Sequence, residues 1–372
     1  MRNLIRFFTA IFLVSILPSC NVKKSKDIDK DNQIQKINIL SNRGFNIKTS
    51  KLISDIKFIP LETTDSILVG DISKIIRTKN EYLILDTQSK SIYAFDMNGK
   101  YLRTIGSNGK GPGEYLNPID FIVDANEDYL FILDELKKIV KTDMNGNLIL
   151  EKNLPDDFRI IDQIAMYNGF IFASTGRTFY NIDNFEVLQF NESLNLINKH
   201  LPYLDPLQFH YSYTNKFFIR EGSLFFISLF NYAIYKFVKT DFQLQYTLDF
   251  SGKEINLNSL GKSENIFDNK SYAFLFEGCV AGDNLIFLPV FVGGRPYNGF
   301  FQPHLNKYTL IKEILNDSYP LIFPSSFYNG YYIATIESFY FRTEFPNENL
   351  GISTSDNPII VEYKLTDNSS AN

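Results

Sequence analysis

Few of the residues that usually carry catalysis are spaced in this chain to do so. Histidine occurs three times, at His200, His210 and His304. The first two stand ten apart and the third is remote, which is no zinc-ligand spacing, so a three-histidine zinc would have to be assembled by folding alone. No Gly-x-Ser-x-Gly element presents a serine nucleophile. Cys279, in Gly278-Cys279-Val280-Ala281, has neither a histidine nor a helix start beside it to lower its thiol pKa. It reads as a small buried strand residue. The run Gly109-Lys110-Gly111-Pro112-Gly113 resembles an anion cradle, but glycine follows the lysine where a Walker loop has Ser or Thr, and no helix comes after. A tight linker is expected there. Asp124-Ala125-Asn126-Glu127-Asp128 has the acidity of a calcium loop without the glycine and distant glutamate of an EF-hand, and is expected to be a polar turn.

What remains is recognition chemistry. Val292 to Asn298 carries Arg295 and Tyr297 beside Gly293, Gly294 and Pro296, and Glu337 to Arg342 carries Tyr340 and Arg342 before a polar stretch to Asn357. Guanidinium forks suit carboxylate and phosphate, and tyrosine adds contact area with a hydrogen-bonding tip. Arg295, Tyr297, Tyr340 and Arg342 are therefore the candidate ligand- or partner-binding residues, provided their loops meet. The alternative is that these loops pack on their neighbours, with Arg342 paired to Glu337 or Glu344.

The elements that would position them follow from composition and repetition. The 372 residues are 44% hydrophobic with a net charge of −5, and no basic stripe offers a surface for nucleic acid. There are 35 Phe and 22 Tyr but no Trp, a bias that favours pleated, half-buried surfaces and hence an all-β fold. Tyr82-Leu83-Ile84-Leu85-Asp86 followed by Ile92 to Gly99 matches Tyr129 to Asp134 followed by Ile139 to Gly146. The two Asp-Met-Asn-Gly elements stand 47 residues apart. Asn-Gly between apolar runs marks a tight hairpin, because both central turn residues need positive φ. Weaker copies recur near Leu188 to Ser193, Tyr235 to Asp241, Asp283 to Leu310, and Gly330 to Leu365. Each copy reads as four strands. The sixth lacks a fourth strand, which Ile56 to Glu62 can supply. The expected fold is a six-bladed β-propeller of four-stranded antiparallel blades, its ring closed by an N-terminal strand so that no sheet edge is left open.

Gly106 to Tyr115 with Asn117-Pro118 resembles the blade linker of NHL- and TolB-like propellers. Ala233 to Phe250 and Asp356 to Val361 are similar to the six-bladed propeller lipoproteins of Bacteroidota. The resemblance spans about residues 45 to 368 and implies fold and export. It implies little about activity. Calcium lactonases and phytases on six-bladed rings bind the ion at the channel mouth, which makes calcium the one cofactor worth testing; otherwise none is expected. The sialidase Ser-x-Asp-x-Gly-x-x-Trp box cannot occur without tryptophan.

At the N-terminus Arg2 and Arg6 precede an apolar run from Phe7 to Leu17, shorter than the ~20 residues a membrane span needs and suited to a secretory signal. Leu17-Pro18-Ser19-Cys20 resembles the lipobox of bacterial lipoproteins, with Pro18 a departure from the commonest pattern. Cys20 is the expected lipidation site, and acylation there would leave Cys279 without a disulfide partner. The alternative is an ordinary signal peptide with a chance cysteine. The expected organisation is a signal peptide over 1–19, a lipidated cysteine and polar tether over 20–44, the propeller over 45–368, and a tail over 369–372. The leading functional reading is a non-catalytic binding or scaffold lipoprotein of the outer membrane. It would present a propeller face to a protein or glycan partner and touch the membrane only through its lipid. The alternative is a divalent-cation-dependent hydrolase or lyase. Three or more carboxylates converging at one end of the channel would favour the enzyme, and a mouth lined by Arg and Tyr would favour binding.

Overall fold

The computed structural model describes residues 34–366 apart from 42, 136, 177, 179, 205–214, 256–265, 268, 277, 316–321, 346–347 and 349. Cys20, His210, the signal segment and the tail lie outside the described residues.

The repeated units fold into six antiparallel sheets. Blade one runs from inner to outer strand as Ile72–Arg77, Glu81–Asp86, Ser91–Asp96 and Tyr101–Ile105. Blade two repeats this from Pro118–Val123 to Leu148–Asn153, blade three from Gln163–Tyr167 to Leu196–Pro202, and blade four from Phe217–Arg220 to Asp241–Asp249. Blade five uses Val280–Ala281, Ile286–Phe287, Arg295–Gln302 and Lys307–Leu315; blade six uses Ser326–Tyr328, Tyr331–Ile336, Ile359–Leu365 and Ile53–Pro60. Each innermost strand touches the next, and that of blade six returns to blade one, so the ring is closed. Middle strands are covered on both faces by neighbouring blades. Glu81–Asp86 is accordingly buried at every position, and its Tyr82 to Leu85 is an unbroken apolar run rather than an alternating one.

The turns explain the period seen in the sequence. Asp96 Oδ1 accepts the N–H groups of Asn98 at 2.8 Å and Lys100 at 2.9 Å. Asp143 Oδ1 does the same with Asn145 at 2.9 Å and Asn147 at 2.8 Å. The hydrogen bond from the Lys100 amide, and in the second turn that from the Asn147 side chain, hold these carboxyls below the usual range. Gly99 has φ +83°, and a Cβ there would come within 2.0 Å of the Pro60 carbonyl oxygen. Only glycine lets the closing strand pass so near.

That strand, Ile53–Pro60, pairs antiparallel with Ile359–Leu365, Phe58 opposite Val361, close to the closing segment expected from Ile56 to Glu62. A polar cluster lies across the seam between blades six and one. The Tyr82 hydroxyl donates to Glu362 Oε1 at 2.8 Å, and Arg77 Nε lies 2.8 Å from the same oxygen.

Two differences from the expected plan stand out. Gln35–Asn38, inside the segment expected to be tether, runs parallel to Asp241–Asp249 as an outermost strand of blade four, and Arg43–Lys48 does the same beside Lys307–Leu315 in blade five. Ile37 and Ile39 are fully buried. The otherwise polar segment carries enough apolar side chains to cover the edge of blade four, whose backbone groups it also pairs. The folded domain therefore begins by Gln35, inside the segment expected to be tether. The interruption in blade five is not an irregular loop but a hairpin, Val290–Val292 against Arg295–Gln302, turning through Gly293 and Gly294 at φ +62° and +84°. The interruption in blade six contains a short helix, Ser338–Glu344, whose Phe341 and the following Phe345 pack edge-on against Phe58 at 5.1 and 4.9 Å.

Candidate functional site

Strand direction divides the ring into two faces. Outer strands lead to the next inner strand, and second strands to third, at one end of every blade, here called the linker face; the tight hairpins lie at the other. On the linker face the beginnings of the inner strands surround a cavity of about 590 Å³. Its wall draws on all six blades: Lys74, Asp120, Gln163, Asn215, Val280 and Ser325 lie at or next to their inner strands. The linker between blades two and three adds Arg159, Ile160 and Ile161, and the approach to blade six adds Phe323. Pockets of this size and mixed lining suit small organic ligands.

Three carboxylates reach this wall, Asp120, Glu135 and Asp162. Two are already engaged. Lys74 Nζ lies 2.5 Å from Asp120 Oδ1, and Asp120 Oδ2 accepts the Ile164 N–H at 2.7 Å. Burial pushes the Asp120 pKa up while the Lys74 charge opposes it. Asp162 pairs with the buried Lys216, whose N–H donates to Gln163 Oε1 at 2.7 Å. Glu135 is exposed and accepts from the Asn117 side-chain amide at 2.7 Å. Among the described residues no group of three or more His, Cys, Asp or Glu is placed to hold a metal ion.

The cations divide differently. Lys137 pairs with Asp156 at 3.1 Å, but that carboxylate is fully in solvent, so the pair is weak. Arg159 is exposed and has no carboxylate partner among the described residues. Phe323, 40% exposed, is braced edge-to-face on Phe287 with centroids 5.1 Å apart. The mouth thus offers a guanidinium without a carboxylate partner among the described residues, an accessible aromatic ring and amide side chains around a concavity.

The residues singled out by sequence lie elsewhere. Arg295 is exposed at the start of its strand opposite Val292, and Tyr297 is half-buried against the core shared by blades four and five. Tyr340 is exposed on the short helix with its ring against Phe339 at 5.5 Å, and Arg342 donates to the Ile352 carbonyl at 2.8 Å rather than to Glu337 or Glu344. Both insertions leave second strands and so stand on the linker face, yet none of the four residues lines the cavity. Sequence reasoning missed Arg159 and Phe323. The available signal was their position just before an inner strand in the repeat.

The other chemistry-bearing segments have structural tasks. In the glycine-rich linker, the Gly111 and Gly113 amides donate to Glu114 Oε2 at 2.7 Å and Glu151 Oε2 at 2.9 Å, so its own carboxylates fill the cradle. Asp124 closes a turn by accepting the N–H groups of Asp128 and Tyr129, both at 2.7 Å. His200 is buried, with Nδ1 2.8 Å from Asp241 Oδ1 and Nε2 2.9 Å from Gln189 Oε1, joining blades three and four. Cys279 is fully covered, and burial pushes its thiol pKa well up, away from thiolate chemistry.

A family model described as Domain of unknown function (DUF4934) matches residues 32–364. The chain belongs to the DUF4934 family. The match includes Gln35–Asn38, in keeping with a domain that starts before residue 45. No curated protein matches the sequence. Among solved structures, this DUF4934 chain is similar to a Bacteroides fragilis NCTC 9343 protein described as exported, with 18% identity over 89% of this chain and 100% of that one, and a TM-score of 0.71. It is also similar to a DUF4221 family member from Bacteroides vulgatus ATCC 8482, with 9% identity over 85% and 97% of the two chains, and a TM-score of 0.54. At these identities the likeness concerns the fold.

Proposed function

We propose that this DUF4934 chain is an exported protein of the cell envelope, held to the outer membrane by a lipid on Cys20, that binds a ligand or partner on its linker face without transforming it. One observation carries the binding reading: the buried carboxylates of the channel mouth are each held by a lysine, Asp120 by Lys74 and Asp162 by Lys216. These ion pairs work against a general-base role or a calcium site there, whereas Arg159 beside them has no carboxylate partner among the described residues. Export is supported by Arg2, Arg6 and the apolar run to Leu17, and by likeness to a Bacteroides fragilis protein described as exported. The anchor is supported by Leu17-Pro18-Ser19-Cys20. The insertions bearing Arg295, Tyr297, Tyr340 and Arg342 belong to the same face and would enlarge the surface offered to a macromolecular partner.

The test has two arms. Cells expressing wild type or Cys20→Ala are labelled with a clickable fatty acid and fractionated. Loss of both label and membrane association in the mutant is expected, and equal membrane partitioning would refute the anchor. Purified full-length protein is then incubated with lactones and phosphate esters with calcium or EDTA. No turnover is expected. Turnover that stops with EDTA and returns with calcium would replace the binding reading by the hydrolase one.

A further inference from the structure

We infer that the channel-mouth cavity is a site for an acidic saccharide, its carboxylate held by Arg159 and one sugar face laid on Phe323; this deepens the binding reading above and rests on it. The mouth asks three things of an occupant. First, it must bring negative charge, because Arg159 lacks a carboxylate partner among the described residues and Lys137 is tied only to the solvent-exposed Asp156. A guanidinium holds a carboxylate through two parallel hydrogen bonds. Second, the occupant must offer a flat, weakly polar face. Phe323 is held at 87° to Phe287, so its orientation is fixed by packing while much of its surface stays accessible. Third, it must carry neutral donors and acceptors. Gln163 spends its Oε1 on the Lys216 amide, leaving its Nε2 as a donor, and Asn215 spends its Nδ2 on the Ser325 carbonyl at 3.2 Å, leaving its Oδ1 as an acceptor.

A fatty acid satisfies the first requirement and not the third. A neutral sugar satisfies the second and third and leaves the guanidinium unused. Inorganic phosphate satisfies only the first. A uronic-acid-bearing or other acidic saccharide satisfies all three, and the volume of about 590 Å³ accommodates a unit of one or two sugar rings.

The experiment is calorimetric titration of the full-length protein with digalacturonate, a glucuronate-containing disaccharide and sialic acid. Digalacturonate methyl ester, a neutral disaccharide and inorganic phosphate serve as comparison probes. At least one acidic saccharide is expected to bind, and its neutral counterpart to bind at least about tenfold more weakly, the loss of one charge-assisted contact. Arg159→Ala should weaken the acidic ligand by roughly ten- to hundredfold while leaving the neutral one unchanged, and Phe323→Ala should weaken both. Lys36→Ala, on the outer edge of blade four and away from the cavity, is the control and should change neither. All three variants alter exposed side chains, and matching thermal melts verify their folding. Failure of all three acidic probes to bind overturns the inference. Neutral and acidic sugars binding alike, phosphate competing as well as the saccharide, or affinity unchanged in both Arg159→Ala and Phe323→Ala also overturns it. None of these results touches the broader binding reading, which falls only to the turnover described above.

Discussion

Glu362 offers the sharpest test of how the ring is held shut. It lies in the third strand of blade six, with its side chain 2% exposed, and is reached across the seam by Arg77 and Tyr82 of blade one. Replacing it with alanine leaves the Arg77 guanidinium, 17% exposed, without its carboxylate and the Tyr82 hydroxyl without its acceptor. Breaking a buried ion pair from one side costs about 3–5 kcal/mol. An orphaned buried hydroxyl adds about 1–3 kcal/mol, and the two do not sum because the groups share one oxygen. A loss of about 4 kcal/mol is therefore expected, read as a fall of roughly 1 M in the urea midpoint. Glu362→Leu with Arg77→Leu removes both charges and should recover most of that loss. The control is Lys36→Ala, which breaks an exposed pair with Asp249 and should cost no more than about 1 kcal/mol. A loss under about 1 kcal/mol for Glu362→Ala, or a double variant no better than the single, would refute the reasoning.

Three further outcomes follow from the same geometry. Deleting residues 50–64 removes the outer strand of blade six and should abolish the cooperative melt; a wild-type transition would place closure elsewhere. Ile37→Ala should destabilise the domain by about 2–5 kcal/mol, up to the free energy with which Gln35–Asn38 is docked, whereas a truncated protein beginning at Ile34 should melt as wild type does. Asp96 and Asp143 have folded pKa values below their unfolded ones, so their contribution is present above the ordinary aspartate range and fades as pH falls through the lowered values. Asp96→Asn with Asp143→Asn should flatten that acid limb in a pH series of urea melts, and an unchanged limb would assign it to other groups.

The ring was legible because its period is written in turn chemistry. Asp-Met-Asn-Gly recurs since Asp96 and Asp143 must each catch two amides and Gly99 must clear Pro60. Closure was legible because blade six lacks a strand and Ile56 to Glu62 has no unit of its own. The outer strand at Gln35–Asn38 was not, since four residues among Lys, Asp and Asn show no periodicity and take their order from the edge of blade four. The insertions misled for a related reason. Gly293-Gly294 marks a hairpin as readily as a loose loop, and Phe341 and Phe345 reveal a buried helix face only once Phe58 lies beneath them. The cavity was least legible of all. Its wall is drawn from Ser73 through Ser325 in short pieces from every blade, and no single stretch of sequence carries the whole pattern.

The N-terminal strands also set an order of events for the emerging chain. Gln35–Asn38 needs Asp241–Asp249, Arg43–Lys48 needs Lys307–Leu315, and Ile53–Pro60 needs Ile359–Leu365. The first segments to leave the ribosome are thus completed only by the last. Blades one to three can assemble from contiguous sequence, but Gln35–Asn38 has no partner until blade four is made, and Ile53–Pro60 none until the last strand of the ring is made. The ring itself closes last, when Ile359–Leu365 becomes free to meet Ile53–Pro60.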